Sequence, residues 1–143
     1  MRANKGCALC FIYRAGMLLE VSVPSLCEQY AGLNYIIFDR DGKPFLVSPA
    51  GIYQYRSGWE ELRVPMPKGS IYAAFWDASK RLWAGGRECG LFWYDGNVWR
   101  ELLLNGKPVP GWITSLQVRG NDELWIGTAD QGIFRIALQG ILE

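Results

Sequence analysis

The sequence predicts an all-β fold built from four-stranded antiparallel modules. Three observations predict it. Glycine and aromatic residues are abundant, with 17 Gly, 7 Trp, 7 Tyr and 6 Phe among 143 residues. Apolar runs are short and are separated by turn-forming residues. One pattern also recurs at intervals of about 40 residues, a spacing typical of four-stranded repeat units.

The pattern has three copies. Phe45-Leu46-Val47 leads to Gly51-Ile52-Tyr53-Gln54-Tyr55. Leu82-Trp83-Ala84-Gly85 leads to Gly90-Leu91-Phe92-Trp93-Tyr94. Leu124-Trp125-Ile126-Gly127-Thr128 leads to Gly132-Ile133-Phe134-Arg135-Ile136. Phe45, Trp83 and Trp125 are spaced by 38 and 42 residues, and Gly51, Gly90 and Gly132 by 39 and 42.

Each copy reads as four strands, here a to d. Strand a is apolar: Leu33 to Phe38, Ile71 to Trp76 and Ile113 to Val118. Asp39, Asp77 or Arg119 follows, always six positions before the aromatic of strand b, so a fixed hairpin turn joins a to b. Strand c follows the glycine. Strand d carries Trp59 or Trp99, and Met17 matches them in an earlier, partial copy. The modules are then 9–23 (c and d), 33–64, 71–103, and 113–136 (a, b and c). Modules of this length and strand count are β-propeller blades, and about three and a half are present where a closed ring takes about 4–8. Such a ring closes only with more chain or by oligomerisation. Small Ala73 and Ser115 in strand a fit the place where inner strands converge.

These residues resemble the two-component regulator propeller repeat, an apolar strand followed by D-x-x-G-x-L-W-[IV]-G-T and G-[LI]-[FY]-R-[YF]-D-G. The segments at Leu124 and Leu82 carry it best. The copy at Phe45 lacks the Trp and has Ser48-Pro49 in place of Gly-Thr. The resemblance covers roughly residues 9 to 136. It implies ligand sensing or protein interaction in the periplasmic or extracellular part of a signalling protein, with the chain a fragment of a larger propeller.

Composition removes other classes. The chain has no histidine, so Ser-His-Asp and Cys-His nucleophilic sites, imidazole acid–base chemistry and most catalytic zinc sites are out. Phosphotransfer through histidine is out too. So is the support for a lyase of the streptogramin-inactivating kind, which resembles this architecture but depends on histidine. A net charge of +1 gives no nucleic-acid footprint. Cys7 and Cys10 form a lone C-x-x-C without the second pair a zinc site wants. With Cys27 and Cys89 they read as small apolar packing residues. No apolar run reaches the ~20 residues of a membrane span. Arg2, Lys5 and the stretch Cys7 to Tyr13 resemble a weak signal peptide, but the match of Tyr13-Arg14-Ala15-Gly16-Met17 to Tyr55-Arg56-Ser57-Gly58-Trp59 assigns that stretch to a module. No clear export signal is left, which keeps a cytoplasmic location open.

Asp39-Arg40-Asp41-Gly42 invites a calcium reading, but Lys43 and Ala50 stand where an EF-hand loop needs oxygen ligands. It reads as a turn, and no metal or cofactor is expected. Phe45, Trp83, Trp125, Trp59, Trp99 and the glycines Gly51, Gly90 and Gly132 read as structural because they recur, the aromatics packing between blades. Propellers commonly bind ligands on the face made by b–c and d–a connections. Arg87 and Glu88, Asp130 and Gln131, and Trp112 at the end of the stretch from Lys107 are the residues placed there. Lys68 and Gly69 form the other d–a connection.

The expectation is a non-enzymatic propeller segment that recognises a small molecule, a glycan or a protein. A homo-oligomer through open blade edges is possible. The alternatives are a glycan-active or lyase-type propeller enzyme and a purely structural interaction module.

Overall fold

A computed structural model of the chain describes residues 10–21, 35–66 and 69–139. Arg2, Lys5, Cys7, Val23, Pro24, Cys27, Leu33 and Lys68, which enter the sequence reading, lie outside the described residues. All regular structure there is β-strand, with no helix long and apolar enough to cross a membrane.

The chain forms antiparallel sheets in sequence order. A hairpin pairs β1 (Cys10–Arg14) with β2 (Met17–Val21). The first four-stranded sheet is β3 (Tyr35–Phe38), β4 (Pro44–Ser48), β5 (Gly51–Tyr55) and β6 (Trp59–Glu61). The second is β7 (Ser70–Trp76), β8 (Leu82–Arg87), β9 (Leu91–Tyr94) and β10 (Trp99–Glu101). A short hairpin follows, β11 (Leu103–Leu104) with β12 (Lys107–Pro108). The third sheet has three strands, β13 (Ile113–Arg119), β14 (Glu123–Thr128) and β15 (Ile133–Ala137). Every strand in these sheets pairs with its neighbour in sequence, so each sheet is a meander.

The β11–β12 hairpin takes up the start of the d–a connection expected from Lys107 to Trp112. Asn105 and Gly106 both have positive φ, 54° and 77°. Asn-Gly is the strongest short signal for such a two-residue turn, and it stands in the sequence.

The sheets stack face to face. β7 lies against β3 and β4, and β13 against β7 and β8. Side chains alternate along a strand, so each sheet has two chemically distinct faces. We call front the face that carries Trp83. Front-face Ala73, Trp83, Leu91 and Trp93 of the second sheet form one cluster with back-face Leu116, Leu124, Ile126 and Ile136 of the third. Front-face Phe45, Val47 and Ile52 of the first sheet pack in the same way on Ala74, Leu82 and Ala84 of the second. Phe45 and Trp83 are buried.

The strand that enters each stack is kinked. β7 shifts register between Ile71 and Ala73, and β13 between Ile113 and Ser115. A bulge re-aims side chains. Ile71 therefore joins the cluster behind the sheet and Ala73 the one in front. The Tyr35 hydroxyl of the first sheet caps the bulge in β7, accepting from the Ala74 N–H (2.7 Å) and donating to the Tyr72 carbonyl (3.3 Å). Gly85 shows how close the sheets come. A Cβ there would lie 2.9 Å from Ile113 Cδ1.

The turns from the first to the second strand of each sheet are the polar counterpart of this packing. Asp39 Oδ1 accepts the N–H groups of Asp41 (2.9 Å) and Lys43 (2.8 Å). Asp77 Oδ1 accepts those of Ser79 (2.8 Å) and Arg81 (2.9 Å). These are the Asx turns that aspartate supplies, in agreement with the turn reading of Asp39-Arg40-Asp41-Gly42. Asp77 does more. Its Oδ2 accepts from Arg81 Nε (2.7 Å) and from the buried Trp83 indole N–H (2.9 Å). The turns are also tied together: Arg40 donates to the Ala78 carbonyl (2.9 Å), Arg81 to the Asn121 carbonyl (3.2 Å), and Ser79 to the Asn121 side chain (3.1 Å).

Trp59 and Trp99 also sit alike. Each contacts the tyrosine opposite it across the last strand pair with ring centroids 5.1 Å apart, edge-on for Tyr55 and tilted by 32° for Tyr94. Both are partly buried against apolar clusters. Trp125 stands where Trp83 does but on the front of the third sheet, where no sheet covers it among the described residues. It is 39% exposed. Its expected packing between sheets is therefore not seen there.

Two stability predictions follow from these contrasts. Trp83→Ala empties a buried site and lowers the unfolding free energy by about 3–5 kcal/mol. Trp125→Ala lowers it by less than about 1 kcal/mol, as is usual at exposed positions. Asp77→Ala orphans an indole and a guanidinium and costs about 3 kcal/mol; Asp39→Ala loses only a turn and costs about 1 kcal/mol. Urea midpoints of the four variants check both orderings.

Candidate functional site

Opposite the tied turns, at the other end of the strands, lies a second rim. It consists of the β8–β9 turn, the β14–β15 turn and the segment leading into β13. All five residues expected to bind a ligand are on it.

The segment before β13 is pinned to the β14–β15 turn. The Trp112 N–H donates to Asp130 Oδ1 (2.8 Å), and the Trp112 carbonyl accepts from the Ala129 N–H (2.9 Å). Gly111 permits this approach. Its φ is 93°, and a Cβ there would lie 2.7 Å from Gln131 Cγ and 2.9 Å from Asp130 Oδ1. The turn is braced by Thr128, whose hydroxyl donates to the Gly132 carbonyl (2.6 Å) and accepts from the Gln131 N–H (2.9 Å). Trp112 is thereby held partly exposed on a fixed backbone.

Arg87, the last residue of β8, lies over the Trp112 ring. Its guanidinium carbon is 4.4 Å from the ring centroid, within cation–π range. The contact joins the second sheet to the third. Arg87 is exposed and forms no ion pair among the described residues. A stacked guanidinium keeps its N–H edge for a carboxylate, phosphate or carbonyl.

Arg87, Trp112, Asp130 and Gln131 thus come together. Glu88 stands beside Arg87 at the turn apex, exposed and with a left-handed φ of 57°, and takes no part in the cluster's hydrogen bonds. Under that apex Cys89 is buried, with its thiol directed at the Ser70 carbonyl (3.8 Å). Sequence reasoning named the residues but missed the stack itself, and it missed Gly111 and Thr128 as the parts that hold it. The available signal was a difference between copies. Pro49 and Ala129 stand where Arg87 does, and Ser70 where Trp112 does.

The front of the third sheet carries a second cluster. Glu123 accepts from the Trp125 indole (2.7 Å) and from Arg135 (2.7 and 2.9 Å), while Arg135 lies 5.6 Å from the Trp125 ring. Arg135 first, then the Trp125 N–H, holds the Glu123 carboxyl below its ordinary range. This repeats the indole–carboxylate–guanidinium grouping of Trp83, Asp77 and Arg81 from a strand residue instead of a turn residue, which marks it as structural. No group of three or more metal-ligating side chains occurs among the described residues.

Burial raises the Cys89 thiol to about 11. At pH 8 its thiolate is then roughly one part in a thousand, and the thiolate is the nucleophile. Mass-mapped alkylation with iodoacetamide at pH 8 is expected to leave Cys89 unmodified in the native protein and to label it in urea. The unfolded thiol ionises near 8.5. The folded thiol stays protonated up to about 11. Stability therefore falls as pH rises through that window, and Cys89→Ser flattens the fall.

Set against known proteins, the chain matches no family model and no curated protein.

Proposed function

We propose that the stacked sheets are blades of a β-propeller and that the rim bearing Arg87 and Trp112 is a recognition surface. The reading is of a non-enzymatic segment that binds a small molecule, a glycan or a protein, in the manner of the sensor part of two-component signalling proteins. The sensor role and a periplasmic or extracellular setting rest on the resemblance of the repeat pattern alone.

One observation carries the recognition reading: the Arg87–Trp112 stack, 4.4 Å apart and pinned through Asp130. The rest of the stack repeats from sheet to sheet, and Phe45 and Trp83 are spent on packing. This pair does not repeat. It is exposed, rigidly held, and offers an apolar ring, hydrogen-bond donors and a carboxylate within one patch. Binding sites combine these features, and Trp and Arg dominate binding energy at interfaces. A guanidinium offers several N–H donors and no acceptor, so Arg87 suits orientation of a ligand rather than proton transfer.

The test is a glycan and peptide array screen followed by calorimetry on the best binder. Arg87→Ala and Trp112→Ala are each expected to weaken binding at least tenfold, about 1.4 kcal/mol. Asn121→Ala, on the opposite rim, leaves affinity unchanged. Equal affinity of all three variants overturns the reading. Turnover of the bound compound overturns its non-enzymatic part.

A further inference from the structure

The turn of the β11–β12 hairpin carries two groups that can react with each other. A backbone amide nitrogen can attack the side-chain amide carbon of the asparagine before it. It does so most readily when it belongs to a glycine, which has no side chain to shield it. Asn105 and Gly106 are such a pair. Both are exposed, and the space a Cβ of residue 106 would fill is open. Neither the Gly106 N–H nor the Asn105 side chain has a hydrogen-bond partner among the described residues. The other two described asparagines lack this freedom. After Asn97 the attacking nitrogen would be that of β-branched Val98, whose N–H donates to Asp95 Oδ1 (3.0 Å). At Asn121 the side-chain oxygen accepts from Ser79 (3.1 Å), and Asp122 follows in place of glycine.

Ring closure needs the Asn105 backbone to leave its turn conformation, and little holds it there. The ladder is Leu103 with Pro108 and Leu104 with Lys107. Pro108 has no N–H to contribute, and a two-stranded hairpin is marginal by itself. Buried Leu102 and Val109 anchor its two ends, so the turn opens locally while the sheets stay folded.

We propose that Asn105 is a self-modification site of the folded chain, losing its side-chain amide to give aspartyl and isoaspartyl forms. The deprotonated Gly106 nitrogen adds to Asn105 Cγ. The N–Cγ bond forms, the Cγ–Nδ2 bond breaks, and Nδ2 takes protons from water and leaves as ammonia. Water then opens the resulting cyclic imide at either carbonyl, and nothing is oxidised or reduced. Both products add a negative charge to the turn. The isoaspartyl form also runs the main chain through the former side chain. It adds a carbon to a turn built for two residues of positive φ, and it frees an α-carboxylate. That carboxylate makes the modified chain a substrate for an isoaspartyl carboxyl methyltransferase. The inference is separate from recognition at the Arg87 rim and does not rest on it.

Incubation of the full chain in mildly alkaline buffer, with and without urea, tests it. Peptides are then mapped by mass and assayed for methyl transfer from labelled S-adenosylmethionine by an isoaspartyl methyltransferase. Circular dichroism confirms that the chain without urea stays folded. In that folded sample, the peptide containing Asn105 is expected to exchange NH2 for OH and to accept label, while Asn97 and Asn121 keep their amides. Asn105→Gly keeps a turn-forming pair, Gly-Gly, but removes the carbon under attack, so the same peptide is expected to stay unchanged and unlabelled. An Asn105 that is altered only in urea, equal loss at Asn97 or Asn121, a product that takes no methyl label, or label persisting in that peptide of Asn105→Gly overturns the proposal. None of these results alters the recognition reading, which stands or falls with the Arg87 and Trp112 variants.

Discussion

The structure depends on one contact made repeatedly: an aromatic ring on the front of one sheet pressed into aliphatic side chains on the back of the next. Phe45 makes it between the first and second sheets, and Trp83 between the second and third. An isolated meander of three or four short strands buries little on its own. Fully burying a ring the size of Trp83 removes about 150–250 Å² from water. At about 25 cal/mol per Å² that outweighs any hydrogen bond in these turns. Stability in such a stack is close to a sum over units and their shared interfaces, so a sheet with only one covered face is held by half as many neighbours.

Polar groups complete the same contact. The Trp83 indole carries an N–H that cannot be buried without cost, and Asp77 takes it while also closing the turn and pairing with Arg81. One carboxylate thus connects turn geometry, ring burial and the link to the neighbouring turn. In the third sheet Glu123 does the electrostatic part of that work from a strand. The carboxylate need not come from the turn, provided it reaches the indole.

Much of this was legible in the chain. Strands a, b and c were placed within a residue or two, because period-2 alternation and fixed turn spacing are local signals. Asp39 and Asp77 were legible as turn residues for the same reason. The Asn105–Gly106 hairpin was equally local and was passed over, since it interrupts the repeat instead of belonging to it. Two things were not legible. The exposure of Trp125 depends on whether a further sheet covers it, and Trp125 itself fits the pattern as well as Trp83 does. The stacking of Arg87 on Trp112 depends on how Gly111 lets a loop approach a turn 20 residues further along the chain. Sequence could mark Arg87 and Trp112 as departures from the repeat without showing that they meet.

The tied turns have a consequence for how such a chain can change. Arg40 to Ala78 and Arg81 to Asn121 are single side-chain spans between fixed backbones, so the reach of one arginine gauges the offset between successive sheets. A turn on that edge cannot lengthen without losing its neighbour. The opposite edge is tied more loosely, by the Arg87–Trp112 contact and by the Ile71 N–H donating to the Pro49 carbonyl (3.1 Å): its turns already differ in length between copies, and it has taken in a whole extra hairpin at 103–108. Variation is thus channelled to one side of the molecule. New surface chemistry can be tried at the Arg87 edge while the spacing of the sheets is kept at the other.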